Sequence, residues 1–167
     1  MKIDLKQLKH QPGQTELYKF SEFWPDALVK GLGAGFMEPV TVDIEVAFNG
    51  QMYVARGRVN TKLQVFCSRC LEPSMVEVDN VLDLNMIDAE SRKTDELKDD
   101  ALLVEQDEVD IEPAVVEAIF AIIPLNPLCK LDCLGLCPVC GVNRNQQDCR
   151  CREDNIDPRW EALKKLT

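Results

Sequence analysis

The sequence is short of aromatic residues, of histidine and of long apolar runs, and each shortage excludes a class of structure or function. Aromatic residues make up 6 % of the chain, so a core must be built mainly from aliphatic side chains. The longest apolar stretch, Ala114–Ile123, is interrupted by Glu117 and is shorter than the ~20 residues needed to cross a bilayer. The sole histidine, His10, lies in a polar segment, so nothing here favours a hydrolase or nuclease built on histidine.

Basic residues are also scarce, and the imbalance is local. The chain has 19 Lys and Arg against 29 Asp and Glu, a formal net charge of −10. Residues 83–117 hold 13 of the acids and 3 of the bases, so the rest of the chain is balanced. This charge disfavours contact of the whole surface with nucleic-acid phosphates or with an anionic membrane, and only a local basic patch would contact RNA directly. No pattern for a small-molecule substrate is evident.

Alternating apolar residues predict an antiparallel sheet. Val40–Phe48 is the clearest strand, because every second residue is apolar. Asn49-Gly50 predicts a two-residue hairpin turn, after which Met52–Val59 returns. Two further strands are predicted at Leu63–Phe66 and Met75–Met86. The expected sheet has four or more strands and one apolar face.

Residues 1–37 carry weaker patterns. The stretch Tyr18–Leu32 is compatible with a short helix, limited by Pro25. Three glycines follow, Gly31, Gly33 and Gly35. No Lys-Ser/Thr comes after them and no strand–loop–helix pattern surrounds them, so a phosphate-binding loop is disfavoured and a flexible linker is the better interpretation.

The C-terminal half contains an acidic segment and two predicted helices. Residues 88–112 are expected to form an acidic loop with a short strand near 102–104. A core helix is predicted at about 113–123, since Pro113 suits the first helical position, and a terminal helix begins at Asp157-Pro158.

The expected fold is therefore α+β. It consists mainly of an antiparallel β-sheet, or a partly open barrel, with one or two packing helices and a C-terminal cysteine-rich, zinc-binding tail. We place the sheet domain at residues 1–128 and the cysteine-rich tail with its terminal helix at residues 129–167.

The cysteines are abundant and closely paired. The first residues, MKIDLKQLKHQPGQ, lack the apolar stretch of a secretory signal, so we expect a cytoplasmic protein whose thiols stay reduced. The close pairs are C-x-x-C at 67/70 and 137/140 and C-x-C at 149/151. These spacings are typical of metal ligands, because such a turn offers two thiolates to one ion and zinc takes four in a tetrahedron.

The strongest candidate metal site lies in the segment CPVCGVNRNQQDCRC. Its second cysteine is followed by Gly141, which can take the positive φ that lets backbone N–H groups face the sulfurs. We call the set predicted here the tail tetrad: Cys137, Cys140, Cys149 and Cys151.

The other cysteines allow a second zinc site that ties the middle of the chain to its tail. We call this set the bridging tetrad: Cys67, Cys70, Cys129 and Cys133. A different pairing is equally compatible with the spacing, in which one ion is held by residues 129, 133, 137 and 140 and another by the pairs 67/70 and 149/151. A third interpretation leaves some of the thiols free and buried.

Redox catalysis is a rival interpretation of the C-x-x-C pair at 67/70. A reactive thiol there needs a lowered pKa, which a helix N-terminus normally supplies. Cys67 and Cys70 instead lie between two alternating runs, which places Ser68 and Arg69 at a turn between strands. A thiol–disulfide oxidoreductase is therefore the weaker hypothesis.

The order of these motifs resembles the YceD family, the large ribosomal RNA subunit accumulation proteins. The motifs are CSRCLEP from Cys67, AIFAIIPLNPLC ending at Cys129, CLGLCPVCGVN from Cys133, and DPRW ending at Trp160. The resemblance extends from about residue 40 to the end of the chain. Within the family, the chain is similar to a bacterial branch that has a cysteine-rich tail. Glycine often follows the second cysteine of such turns, whereas this chain has Leu71.

The resemblance implies a non-enzymatic role in synthesis, processing or stability of 23S rRNA, and hence in large-subunit assembly. No catalytic residue carries over; the element that transfers is Cys67, Arg69 and Cys70. A zinc-dependent nucleic-acid-binding regulatory module is the alternative, followed by the thiol oxidoreductase.

Two kinds of partner are compatible with this role: large-subunit rRNA, or a ribosomal or RNA-processing protein. Direct RNA contact would require a basic patch around the C-x-x-C turn at 137/140. We favour the other route, in which the acidic segment 83–117 contacts a basic protein. The candidate partner or RNA contacts are Arg69, Arg144, Arg150, Arg152, Lys164 and Lys165, with Arg159 beside them.

Overall fold

The computed structural model describes residues 1–89 and 101–151, and these residues form two compact units. Among the described residues, the first unit comprises those within Met1–Val65 and Met75–Leu125, and the second comprises Phe66–Ser74 together with residues 126–151. The second unit therefore combines one turn from the middle of the sequence with the cysteine-rich tail.

The first unit is dominated by one mixed sheet. Its strands are β2 (Thr15–Glu22), β3 (Ala34–Phe36), β4 (Val40–Phe48), β5 (Tyr53–Phe66), β6 (Pro73–Asp88) and β7 (Ala101–Val104). Their order is β2, β4, β5, β6 and β7, with β3 also paired to β5. The pairs β2–β4, β3–β5 and β4–β5 are antiparallel, whereas β6 and β7 run parallel. The last residue of β5 and the first two residues of β6 flank the turn that belongs to the second unit, Phe66–Ser74.

Smaller elements complete the first unit. Strand β1 (Lys2–Asp4) pairs antiparallel with β8 (Glu108–Asp110), and the helices are α1 (Lys6–Lys9) and α2 (Glu112–Phe120). Two short 3-10 turns lie at Asp26–Leu28 and Lys30–Leu32. Neither helix in the described part of the chain has the length and apolar character that a bilayer span requires.

One face of the main sheet is buried. In β4, Val42, Ile44 and Val46 are buried while the residues between them are exposed. Helix α2 buries Val115 and Ile119 in the same apolar cluster. Each such side chain stabilises the fold by about 1.5–3 kcal/mol relative to an exposed position, so this cluster is the main source of stability in the first unit.

The predicted α+β class, with a mainly antiparallel sheet and packing helices, is confirmed. Strand β4 has the predicted bounds, and the short strand predicted near 102–104 is β7. Helix α2 is confirmed but ends at Phe120 rather than at Ile123. The last residues tighten instead into i→i−3 turns, with the N–H of Ile122 donating to the carbonyl of Ile119.

The helix predicted within Tyr18–Leu32 is wrong. Tyr18 and Phe20 lie in β2, opposite Ile44 and Val42 of β4, because the alternation of TELYKFSE matches the period of a strand. The flexible linker predicted at the following glycines is also wrong. Ala34–Phe36 pairs with β5, and the N–H of Phe36 donates to the Asp26 carboxylate over 2.8 Å.

The hairpin and the acidic segment also differ from their predictions. The two-residue turn is longer than predicted, since Phe48 pairs with Tyr53 and the side chain of Asn49 accepts the N–H groups of residues 51 and 52. The two strands predicted on either side of residue 60 are one continuous strand, β5. Within the predicted acidic loop, β7 is the short strand expected near 102–104, whereas β8 at Glu108–Asp110 is a strand where a loop was expected. Residues 90–100 and the predicted terminal helix lie outside the described residues.

Tyr53 offers a test of the core. Its ring packs on Phe48 with centroids 4.6 Å apart, and its buried hydroxyl has no hydrogen-bond partner among the described residues. An unpaired buried hydroxyl costs about 1–3 kcal/mol. We therefore expect Tyr53→Phe to leave stability unchanged or to raise the free energy of unfolding by up to ~1 kcal/mol. Urea unfolding measures this, and a clear loss of stability would show that the hydroxyl is hydrogen-bonded.

Candidate metal centre

The eight cysteines gather into two clusters, both within the second unit. In each cluster the four Sγ atoms lie within 4.8 Å of one another, and all eight residues are free thiols. The clusters are the bridging tetrad and the tail tetrad defined from the sequence. The alternative pairing, in which residues 129, 133, 137 and 140 share one ion, is not the arrangement found.

The spacing of the sulfurs fits a tetrahedral metal ion. A zinc ion with Zn–S bonds of about 2.3 Å places its thiolates roughly 3.8 Å apart. In the bridging tetrad, Sγ of Cys67 lies 3.7 Å from Sγ of Cys133, and Sγ of Cys70 lies 3.5 Å from Sγ of Cys129. These distances are longer than a disulfide bond of about 2.0 Å and leave room for one ion at the centre of the cluster.

The turn at Cys67 and Cys70, which we call the first knuckle, is closed by backbone hydrogen bonds. The N–H of Leu71 donates to the carbonyl of Cys67 over 2.9 Å, and the N–H of Cys67 donates to the carbonyl of Glu72 over 2.9 Å. Leu71 has a φ of +60°, in the left-handed region. The glycine position noted from the sequence is thus occupied by a leucine in the glycine conformation.

The turn at Cys137 and Cys140, which we call the second knuckle, has the same geometry. The N–H of Gly141 donates to the carbonyl of Cys137 over 2.9 Å, and the N–H of Cys137 donates to the carbonyl of Val142 over 2.8 Å. Gly141 has a φ of +74°. The two knuckles are therefore equivalent residue for residue, one built around leucine and the other around glycine.

Backbone amides direct their protons at the first sulfur of each knuckle. Burial raises the pKa of Cys67, but the amides of Cys129, Cys70 and Arg69 donate to its sulfur and lower the pKa to about 6. In the second knuckle the amides of Cys140 and Val139 lower the pKa of Cys137 to about 6. Both first sulfurs are therefore prepared as thiolates, the form that binds metal.

The thiols of Cys129 and Cys151 keep their protons while no cation is present, because the pKa of each is raised. The hydrogen bond with Cys70 is the main reason that the pKa of Cys129 rises to about 12. The hydrogen bond with Cys140 does the same for Cys151, whose pKa also rises to about 12. Four crowded thiols cannot all ionise without a positive charge among them. A divalent ion held by the four sulfurs would supply that charge and displace the protons.

The two tetrads differ in exposure. In the bridging tetrad only Cys129 is exposed, whereas in the tail tetrad Cys140 and Cys151 are both exposed. The bridging tetrad also has the stronger support from long-range contacts. Gly135 lies against Arg69, and the N–H of Leu136 donates to the carbonyl of Arg69 over 3.0 Å. These contacts join the first knuckle to the tail.

The predicted basic contacts have different positions. The guanidinium of Arg69 donates to the carbonyl of Cys133 over 2.9 Å, so this side chain holds the tail loop against the first knuckle. Arg144 and Arg150 are exposed. The other predicted contacts, Arg152, Arg159, Lys164 and Lys165, lie outside the described residues.

Sequence reasoning missed two asparagines. Asn143 and Asn145 follow the second knuckle, and their side chains bond to each other, to backbone and to a cysteine sulfur. The signal was the run Asn-Arg-Asn directly after CPVCGV, since asparagine side chains readily bond to nearby backbone groups.

The knuckles provide a matched pair of substitutions. Leu71 is 63 % exposed, so replacing it loses little packing, whereas its left-handed backbone costs about 1–2 kcal/mol. We expect Leu71→Gly to raise the free energy of unfolding by about 1 kcal/mol. We expect Gly141→Ala to lower the free energy of unfolding by a similar amount, because alanine is strained at the φ of +74°. A steric clash does not contribute, since a Cβ there would meet no atom within 4 Å. Chemical unfolding of the metal-loaded protein measures both, and a stabilising Gly141→Ala would contradict the equivalence.

The comparisons with known proteins now decide the family. A family model described as "Large ribosomal RNA subunit accumulation protein YceD" matches residues 55–167. The chain belongs to the YceD family. The matched range covers both cysteine tetrads, so the metal-binding candidate lies inside the part of the chain that defines YceD membership.

The chain is also similar to curated proteins of mycobacteria. An uncharacterized protein of Mycobacterium bovis and one of Mycobacterium tuberculosis are each 30% identical over 127 residues, 75% of this chain and 60% of the relative. An uncharacterized protein of Mycobacterium leprae is 27% identical over 126 residues, 75% of this chain and 58% of the relative. The chain thus spans about three fifths of the length of these relatives. No solved structure matches this YceD chain.

Proposed function

We propose that this chain acts without catalysis in the synthesis, processing or stability of 23S rRNA, and thereby in assembly of the large ribosomal subunit. The match of residues 55–167 to the YceD family carries this proposal, because that family is named for accumulation of the large ribosomal RNA subunit. The action is placed in the cytoplasm, where thiols stay reduced and available to metal.

Two structural zinc ions are part of the proposal. Each tetrad offers four thiolates, the ligand set of closed structural zinc sites that leave no position for substrate. Thiolate softness selects zinc or iron–sulfur chemistry over magnesium and calcium. In the bridging tetrad, the sulfur–sulfur distances of 3.5 and 3.7 Å and the amide protons directed at Cys67 support a resident ion. In the tail tetrad, the support is the grouping of four sulfurs within 4.8 Å and the amide protons directed at Cys137.

The same geometry disfavours the thiol–disulfide oxidoreductase. That chemistry uses one reactive pair, normally at a helix N-terminus. Cys67 directly follows strand β5 and does not lie at a helix N-terminus. Its sulfur is one of four in the bridging tetrad, which is the number that a tetrahedral metal site needs. A structural role for the knuckle accounts for the lowered pKa of Cys67 as well as a redox role does, and it also accounts for the other sulfurs.

A basic protein partner is favoured over direct binding to rRNA. Four thiolates and one divalent ion together carry a charge of about −2. Two filled sites therefore change the formal charge of the chain from −10 to about −14. Arg69, the basic residue of the first knuckle that the family resemblance singles out, donates to the carbonyl of Cys133. This hydrogen bond competes with a contact between its guanidinium and RNA. The acidic surface is better matched to a ribosomal or RNA-processing protein than to phosphate.

Deleting the gene tests the function. We expect a bacterium without it to contain less 23S rRNA and fewer free and assembled large subunits relative to small-subunit rRNA, with both restored by the parent chain. A Cys70→Ser/Cys140→Ser chain should restore them poorly, and Gln147→Ala should restore them fully. Unchanged ribosome profiles in the deletion strain would refute the proposal.

Binding experiments separate the two partner classes. We expect the zinc-loaded protein to bind 23S rRNA fragments weakly at physiological salt and to co-purify with large-subunit proteins after nuclease treatment. Tight rRNA binding with a steep salt dependence would overturn the preference for a protein partner and would favour a zinc-dependent nucleic-acid module.

A further inference from the structure

Asn145 links the two tetrads. In the sequence it lies between Cys140 and Cys149, which belong to the tail tetrad. In the structure its side-chain amide donates to Sγ of Cys133, a member of the bridging tetrad, over 3.3 Å. The segment that joins the ligands of one candidate site therefore supplies a hydrogen bond to a ligand of the other.

The orientation of this amide is fixed on both sides. Its Oδ1 accepts the backbone N–H of Leu134 over 2.9 Å, which leaves Nδ2 to face the sulfur. Nδ2 also donates to Oδ1 of Asn143 over 2.9 Å, and that same oxygen accepts the backbone N–H of Asn145 over 3.0 Å. The side chain of Asn145 is thus held at three points around Cys133.

Asn143 extends the network to the first knuckle. Its side-chain amide donates to the carboxylate of Glu72 over 3.3 Å, and Gln146 donates to the same oxygen over 3.0 Å. Glu72 in turn accepts the backbone N–H of Cys67 through its carbonyl. The loop between the two pairs of tail-tetrad ligands therefore contacts Cys133 of the bridging tetrad and Glu72, which follows the first knuckle.

We propose that Asn145 is a positioning residue that orients the Cys133 thiolate and makes metal binding in the bridging tetrad depend on metal binding in the tail tetrad. This inference rests on the metal sites of the proposed function. It goes beyond them because it assigns a role to a side chain that is not a ligand and couples the two ions.

The physical reason has two parts. A hydrogen bond from an amide to a metal-bound thiolate fixes the ligand and offsets its charge, and losing such an outer contact typically costs 10–100-fold in metal affinity. Metal in the tail tetrad closes the loop that carries Asn145, so the entropy of ordering that loop is already spent when the bridging tetrad fills. By linkage, the bridging ion must favour the tail ion equally.

The first experiment measures zinc affinity of the bridging tetrad by competition with a chromophoric chelator. We expect Asn145→Ala to weaken it about tenfold and Asn145→Asp, which keeps the acceptor for Leu134 and removes the donor to sulfur, to weaken it at least as much. The matched control is Gln147→Ala, a nearby exposed side chain. The cobalt-loaded protein should also show a shifted sulfur-to-metal absorption band in both Asn145 variants, which a general loss of stability would not produce.

The second experiment tests the coupling with a double-mutant cycle. Cys149→Ser/Cys151→Ser, which disables the tail tetrad, should weaken zinc binding at the bridging tetrad several-fold when Asn145 is present. In the Asn145→Ala background the same change should have little further effect.

Two results would end this proposal in different ways. Asn145 variants that bind zinc and absorb like Gln147→Ala would overturn the positioning role while leaving both metal sites in place. A folded parent protein that contains no metal would overturn the metal sites themselves, and with them the basis of this inference.

Discussion

Removal of metal should unfold the second unit while the main sheet of the first unit persists. The buried apolar cluster of the second unit consists of Cys67, Cys70 and Cys133, with Leu128 and Leu136 packed against it. Its buried side chains are thus candidate metal ligands, and without an ion they provide little else to hold the turn and the tail together. Structural zinc contributes roughly 10–16 kcal/mol of apparent binding free energy, far more than this small cluster can replace.

A strong chelator and amide hydrogen exchange measure this effect. We expect two zinc equivalents in the parent protein and, after chelation, fast exchange at residues 126–151 with continued protection in β4 and β5. Exchange that stays slow throughout the second unit of a metal-free sample would contradict the expectation.

Single ligand substitutions should divide the metal content between the tetrads. Cys70→Ser should remove one equivalent from the bridging tetrad, and Cys140→Ser should remove one from the tail tetrad, because serine is a poor substitute for thiolate at zinc. Gln147→Ala should keep both. Loss of both ions from Cys140→Ser together with retention of one in Cys70→Ser would show that the tail ion is required for the other.

Gly57→Ala should be the most damaging single-methyl change in the sheet. A Cβ at this position would lie 2.3 Å from the carbonyl oxygen of Asp43 and 2.7 Å from Cα of Ile44, which is the residue paired with Gly57. These are backbone atoms of the neighbouring strand, so no side-chain rotation relieves the clash. We expect a loss of about 3 kcal/mol in the free energy of unfolding, at the upper end of the usual cost of overpacking.

Gly31→Ala is the matched control for this substitution. A Cβ there would meet no atom within 4 Å, and the backbone of Gly31 lies outside the left-handed region. We expect its unfolding free energy to change by less than about 0.5 kcal/mol. Urea unfolding compares the two variants, and equal stability of Gly57→Ala and the parent would show that β4 and β5 do not approach as closely as described.

Local pattern predicted some elements well and failed where two patterns competed. Strand β4 and helix α2 were predictable because their apolar periods are unambiguous and Asn49 and Pro113 mark their boundaries. The segment Tyr18–Leu32 is compatible with a short helix by its local pattern, whereas the aromatics at every second position, Tyr18 and Phe20, also fit a strand. Pairing with β4 packs those partly buried aromatics against the core and favours a strand, and that partner lies more than twenty residues away.

The chemistry of the candidate site was also readable only in part. The number and spacing of the cysteines, and the family to which they point, follow from the sequence because a C-x-x-C turn is a local structure. The left-handed backbone of Leu71 is not readable in this way, since its local preference opposes that conformation and the hydrogen bonds of the knuckle impose it.

By itself the sequence determined the α+β class, the ligand-like thiols and a charge that disfavours phosphate. Only the tertiary structure decided which thiols share a cluster, that Arg69 bonds to the tail, and that Asn145 reaches Cys133. The physical reason is that spacing along a chain constrains neighbours within a turn. The meeting of residue 67 with residue 133 depends instead on how the β5–β6 connection and the tail fold onto each other within the second unit.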